Sequence, residues 1–254
     1  MKRIIIILFV GFGLPTVSLA QIKINSNLMQ ALMEAVGSAT ISDAQVAELS
    51  RQAIVEMDAK NPVAAANDPY TVRLNKIVSR HHTISGLPVN YKVYKVPDVN
   101  AFATADGSVR VFKGLMDIMT DNELLAVMGH EIGHVINHDT RDAMKRSLQR
   151  SAIRDAVGST SGKLGELSRS QLGDVADNLL GASFSRQQET EADDYSYGFL
   201  KRYGYNVLAL ATAFEKLAKL NGGQGGPTFL SSHPDSQARA QRVRDRARRD
   251  GLAK

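Results

Sequence analysis

Thr120 to Ile136 is the stretch that most restricts how this 254-residue chain can fold. Thr120-Asp121-Asn122-Glu123 has the spacing of a helix capping box, so a helix starts there. Leu124, Leu125, Val127, Met128, Ile132, Val135 and Ile136 make that helix strongly apolar and place it in a core. The same helix carries His130, Glu131 and His134. Buried polar groups need partners. Residues four apart share a helix face, so His130 and His134 can offer two imidazole nitrogens to one metal ion. Glu131 projects nearby. A surface helix with incidental charges is the competing reading, and the apolar surroundings argue against it.

His130-Glu131-Ile132-Gly133-His134 is the H-E-x-x-H pattern of zinc proteases, with two ligands and a general base on little more than one turn. A catalytic zinc usually takes a third protein ligand. Ser185 to Asp194 offers several carboxylates at the start of another helix, for which Ser185 and Gln188 form a capping box. Glu189 and Asp193 are four apart and share a face, so one can bind zinc while the other accepts a hydrogen bond from a ligating histidine. Glu191 points away from that pair and is expected to be solvated. The helix dipole alone would also favour acids at this N-terminus.

The remaining chain frames this site. Met1-Lys2-Arg3, the apolar run Ile4 to Val10 and Ser18-Leu19-Ala20 read as a secretory signal peptide over 1–20, followed by one domain over 21–254. The apolar run is short for a membrane span. Lys2 and Arg3 supply two of the formal net charge of +5, leaving +3 after cleavage. There is no cysteine, which excludes disulfides and a lipidated N-terminal cysteine, and a chain of this length can bury an adequate core without them. A bacterial periplasm is the expected location. Basic residues crowd at Arg141 to Arg154 and Arg239 to Arg249, but no helix-turn-helix, RNP-like motif or phosphate loop accompanies them, so nucleic acid is not an expected partner. Solvated helix faces are the simpler explanation, and peripheral association with an anionic membrane is compatible with them.

Helices are expected over Ile22 to Val36, after the Ser42 cap, and from Asp68-Pro69, the last closed by His81 and His82 as polar residues at a helix end. Tyr91 to Val96 alternates as a strand does, and Ala101 to Phe112 reads as a hairpin turning at Asp106-Gly107. An open strand edge at Asn100, Ala101, Phe102 and Ala103 could pair with an extended peptide and hold it over the metal; a hairpin that merely packs on the helix is the alternative. A basic helix is expected over Asp139 to Val157, and the Gly/Ser-enriched 158–182 reads as a flexible insertion or lid. The fold class is mostly α with a small β-sheet.

The H-E-x-x-H helix, the Glu189-x-x-x-Asp193 helix and Ser232-His233-Pro234 together resemble the HtpX and CAAX-prenyl-protease type of zinc metallopeptidases. Asn90 to Val96, Asn100 to Ala103, Gly114 to Asp117, Glu191 to Tyr197 and Phe214 to Leu220 are similar to a periplasm-facing, outer-membrane-associated member of that family. The resemblance implies a zincin-like domain with a small sheet at its cleft and one zinc ion held by His130, His134 and Glu189. It implies Glu131 as general base, Asp193 orienting a histidine ligand, His233 beside the metal and Arg239 following it in the His-Pro-x-x-x-x-Arg pattern. That member is a lipoprotein, and this chain lacks the cysteine. Asp139 stands where relatives often have histidine, and His138 is shifted by one. His134 and His138 also have ligand spacing, but only the His130/His134 pair encloses a glutamate next to its first histidine, so His138 is left out of the site. The implied activity is endopeptidase cleavage of unfolded or damaged envelope polypeptides, with outer-membrane assembly or quality-control proteins as candidate partners. The rival is a chaperone-like binding factor with little proteolysis, against which the intact Glu131 argues. His233 follows the glycine-rich Asn221 to Gly226, whose freedom would let it either donate to an oxyanion or swing inward and plug the metal at rest. The plugged state is expected in the free enzyme.

Overall fold

A computed structural model describes residues 42–147, 182–220, 228–234 and 236–253. The leader, the helix expected over Ile22 to Val36, the Asn221 to Gly226 run and, apart from Ala182, the expected lid lie outside them.

Ser42 caps α1 (Asp43–Lys60) through a reciprocal capping box with Gln45. Asp68 caps α2 (Pro69–Ile77), whose proline occupies the first turn, where its missing N–H costs nothing. The strands follow: β1 (Thr83–Ile84), β2 (Leu87–Pro88), β3 (Asn90–Tyr94), β4 (Ala101–Ala103) and β5 (Ser108–Phe112). The expected β4–β5 hairpin forms, with Gly107 at φ +84° in its turn. β3 joins β5 in parallel, giving the order β3-β5-β4 and leaving β4 as an outer strand. Then come α3 (Lys113–Ile118), α4 (Asp121–Ile136), a helical segment α5 over 139–147, α6 (Arg186–Arg202), α7 (Leu208–Lys219), α8 (Thr228–Ser232) and α9 (Ser236–Arg249). Only the first part of the expected 139–157 helix falls among the described residues.

The sheet is covered on both sides, which is why every position of β5 is buried. Tyr94, Phe102 and Phe112 face α1 and pack with Ala53, Ile54 and Met57. Val93, Ala101, Ala103, Val109 and Val111 belong to the main core, together with the apolar residues of α4. Arg110 shares the α1 face at 1% exposure and gives its Nε to Asp58 Oδ1 at 2.8 Å, while Lys92 Nζ and Tyr94 OH also donate to Asp58, at 2.7 and 2.8 Å.

α4 is the central helix, and two glycines decide how closely α6 approaches it. A Cβ on Gly133 would fall 3.0 Å from both Cα and the carbonyl oxygen of Ala192, and one on Gly129 would fall 3.1 Å from Ser196 Oγ. Ser196 Oγ donates to the Ala126 carbonyl across the same seam at 2.7 Å. These small residues bring the acids of α6 beside the histidines of α4.

Two expectations change. His81 is not a polar helix end: α2 stops at Ile77, and His81 is fully buried against Phe199, Tyr203 and Tyr205, with Nε2 2.9 Å from the Tyr205 hydroxyl. The basic face of α9 is not simply solvated. Arg242 and Arg246 pair with Asp194, Arg244 pairs with Glu215, and Arg239 is buried. Among the described residues no helix is long and apolar enough to cross a membrane.

Candidate metal centre and cleft

The capping boxes at Thr120/Glu123 and Ser185/Gln188 start α4 and α6 where the sequence placed them. Lys216 Nζ reinforces the first by donating to Glu123 Oε2 at 2.6 Å. With both helices fixed, His130, His134, Glu189 and His233 present one ligand atom each, all within 4.8 Å of one another, and all four residues are buried.

The geometry assigns the histidine tautomers. His130 Nδ1 lies 3.0 Å from Asp193 Oδ1, and His134 Nδ1 lies 2.8 Å from Asp139 Oδ2, so each Nδ1 carries the proton and donates it to a carboxylate. Both Nε2 lone pairs then point inward, 3.2 Å apart. Two lone pairs at that distance repel unless a cation lies between them. Glu189 adds its carboxylate, with Oε1 3.4 Å from His134 Nε2 and Oε2 3.5 Å from His130 Nε2. Two neutral imidazoles and a carboxylate form the donor set that suits zinc.

Arg239 supports this shell. Its Nε and Nη2 grip Asp193 at 2.9 and 2.6 Å, Nη1 pairs with Glu189 Oε2, and the guanidinium lies 4.1 Å from the Phe214 ring centroid. Nη2 is also 3.3 Å from His130 Nδ1, which we read as packing, because that nitrogen's proton belongs to Asp193.

Charge in the site follows from these contacts. Burial, aided by Arg239, holds the pKa of His130 well below the usual imidazole value. Burial also opposes charge on His134, but the hydrogen bonds to Asp139 and Glu189 outweigh it and raise that pKa to about 9. Burial would raise Glu189, yet His134 and His233 hold it far below the ordinary carboxylate range. Burial raises Glu131 and Asp193. The centre therefore favours a cation, and a metal entering it competes with the His134 proton.

Each candidate residue has a definite place. Glu131 sits outside the donor set, buried, with Oε1 lacking a hydrogen-bond partner among the described residues and 3.5 Å from His233 Nε2. His233 turns Nδ1 toward Glu189 Oε1 at 2.8 Å and His130 Nε2 at 3.2 Å. Glu191 is exposed and accepts from Gln187 at 2.9 Å, on the outer face of α6 as expected. Asn100, Ala101, Phe102 and Ala103 line a cleft with Glu131, Ser232, His233, Thr140, Ala143 and Phe184.

Two features escaped the sequence reading. Asp139 is the partner of His134, brought back onto the helix by His138 in the left-handed region at φ +67°. The only signal in sequence was an acid five residues after the second histidine. Phe184 stacks on His134 with ring centroids 3.9 Å apart and an interplanar angle of 15°, for which the sequence offers no signal.

A metal-binding helix pair beside a small sheet, with a glutamate next to the donors, defines a zincin-type metallopeptidase. The Peptidase family M48 model matches residues 68–247. The chain is 47% identical over 247 residues to Metalloprotease LoiP of Escherichia coli (strain K12), covering 96% of this chain and 98% of that protein. It is also 47% identical over 215 residues to Metalloprotease YcaL of the same organism, covering 84% of each. Mitochondrial metalloendopeptidase OMA1 of Arabidopsis thaliana is 27% identical over 210 residues, covering 79% of this chain and 41% of that one. The chain belongs to peptidase family M48, and it is a zinc-dependent metalloendopeptidase acting on polypeptides.

Proposed function

We propose that this protein is an endopeptidase of the bacterial periplasm that hydrolyses unfolded or damaged envelope polypeptides, with zinc held by His130, His134 and Glu189. The observation that carries the ligand set is the convergence of two inward-facing Nε2 atoms and one carboxylate, each oriented by a separate buried group. When bound, zinc lowers the pKa of water toward about 7 and polarises a carbonyl.

The chain's own residues supply the rest. Glu131, which lines the cleft and whose Oε1 has no hydrogen-bond partner among the described residues, takes the proton of the attacking water and delivers it to the leaving amine. Asp193 holds His130 by its Nδ1 proton, and Arg239 holds Asp193. β4 orients substrate. The Asn100 carbonyl and the Thr104 N–H bond toward β5, so by alternation the backbone groups of Ala101 and Ala103 face the cleft edge. Asn100 Oδ1 accepts the Ala101 N–H at 2.9 Å, leaving the Ala101 carbonyl and both Ala103 groups to pair with an extended peptide. Only an unfolded segment can add itself as a strand in this way, which favours unfolded substrates. His233 Nδ1 lies among the donor atoms, and this supports the resting state in which it plugs the fourth metal position.

The location rests on the leader-like residues 1–20. Peripheral membrane association and contact with outer-membrane quality-control proteins are part of the same proposal. The test pairs cell fractionation with digestion of one protein in its folded and reduced, unfolded forms. We expect a periplasmic pool without the leader and cleavage confined to the unfolded form, abolished by chelator and restored by zinc. A cytoplasmic pool, or equal cleavage of both forms, would refute it.

A further inference from the structure

We infer that Asp139 is a positioning residue that clamps the second histidine ligand to the first turn of the helix carrying Glu189, through a hydrogen-bond relay ending at Gln188. The inference rests on the reading that His134 and Glu189 hold zinc.

The relay begins in the backbone. α4 ends at Ile136, Asn137 forms its C-cap, and His138 adopts φ +67°, a conformation that non-glycine residues rarely take. That reversal returns Asp139, 4% exposed, to the helix it has just left. Its two oxygens are both committed. Oδ2 accepts from His134 Nδ1 at 2.8 Å, and Oδ1 accepts from Gln188 Nε2 at 2.8 Å.

Gln188 cannot reverse its amide freely. Its Oε1 already accepts the Ser185 N–H at 3.0 Å in the capping box of α6, so only Nε2 is left to face Asp139. Position 139 therefore has to accept hydrogen bonds at two different atoms at once, which the two oxygens of a carboxylate do and an amide, with a single oxygen, does not. Glu189 follows Gln188 directly. One carboxylate thus fixes the tautomer and direction of His134 and ties it to the turn that presents Glu189. Asp193, from further along α6, orients the other histidine, His130.

The relay makes a prediction that a merely structural acid would not. Asp139→Asn keeps one acceptor but turns a donor toward the donor Gln188. Gln188→Glu improves the capping box yet sets a carboxylate against Asp139. Each alone should weaken zinc binding by roughly 10- to 100-fold, the usual effect of losing a ligand's outer partner. The double variant rebuilds the relay with its polarity reversed. The amide now at position 139 accepts from His134 and donates to the carboxylate now at position 188, whose other oxygen accepts the Ser185 N–H.

The experiment measures zinc affinity of the full chain by chelator competition, with the visible spectrum of the cobalt(II)-substituted protein as a second readout of ligand geometry. Expected are weakened binding and an altered spectrum in both single variants, and recovery of most of both in Asp139→Asn/Gln188→Glu. Losses that add in the double variant, or wild-type affinity and spectrum in folded Asp139→Asn, would overturn the inference. If Asp139→Asn fails to fold, Gln188→Glu still decides, since an unchanged zinc affinity there overturns it. His134→Ala separates the premises. Zinc loss in that variant with no effect at position 139 defeats the relay alone, whereas retained wild-type zinc affinity defeats the ligand reading as well.

Discussion

Gly133→Ala tests whether the close approach of α6 to α4 is what assembles the centre. In an isolated helix this change gains about 1 kcal/mol. Here the new Cβ would lie 3.0 Å from Ala192 Cα and from its carbonyl oxygen, and 3.2 Å from Tyr195 Cβ. Carbon atoms prefer separations of about 3.5–4.0 Å, so the helices must part by roughly 0.5–1 Å, and the neighbours are largely backbone. Overpacking of this kind costs about 1–3 kcal/mol, leaving the variant at best neutral. Gly198→Ala on α6 is the matched control, because nothing lies within 4 Å of its new Cβ and the helical gain should survive. Urea unfolding of the metal-free proteins should separate the two variants by about 1–3 kcal/mol, the overpacking cost alone. Zinc affinity should fall in Gly133→Ala only, since a site tolerates about 0.5 Å of displacement at most. Equal stability of the two variants with unchanged zinc affinity would show that the seam does not set the site.

Other substitutions reach different parts of the molecule. Glu189→Ala should lose zinc at concentrations where Glu191→Ala retains it, measured by metal analysis after dialysis; the reverse result would move the third ligand. His233→Ala should raise basal peptidase activity by removing the resting plug, and a loss of about a hundredfold or more would assign it to the oxyanion instead. Asp58→Ala leaves the buried Arg110 without its carboxylate partner and should cost about 3–5 kcal/mol in urea unfolding. Burial would raise the Asp58 carboxyl, but Arg110 and Lys92 outweigh it and lower its pKa in the folded state. Its contribution is therefore complete above the unfolded value of about 3.9 and is lost as pH falls through the folded one. The stability difference between wild type and Asp58→Ala should shrink on acidification below about pH 4, and a constant difference would refute the assignment.

What could be read in the sequence was local. Three capping boxes, at Ser42, Thr120 and Ser185, were recognisable because both partners lie within four residues. The pairing of Glu189 with Asp193 was recognisable from helical spacing, but spacing could not rank them. That ranking depends on which oxygen reaches His130 Nδ1 and which reaches the inward Nε2 atoms, and so on the separation set by Gly129 and Gly133. The parallel β3–β5 pairing and the Asp58–Arg110 pair join residues far apart in the chain, where no local pattern records them. The burial of His81 leaves no local signal for the same reason, since its aromatic partners come from residues 199–205. Asp139 was hidden by a single left-handed residue that redirects the chain after the helix has ended.

Glu131→Gln, assayed together for bound zinc and for casein digestion, bears most directly on the proposed chemistry. Glu131 lies beside the donor set without belonging to it, lines the cleft, and has an Oε1 with no hydrogen-bond partner among the described residues. The variant should therefore hold one zinc ion per chain, as the wild type does, and digest no casein. Stoichiometric zinc with near-wild-type digestion would contradict the role given to Glu131, and loss of the zinc itself would contradict the division between ligands and base.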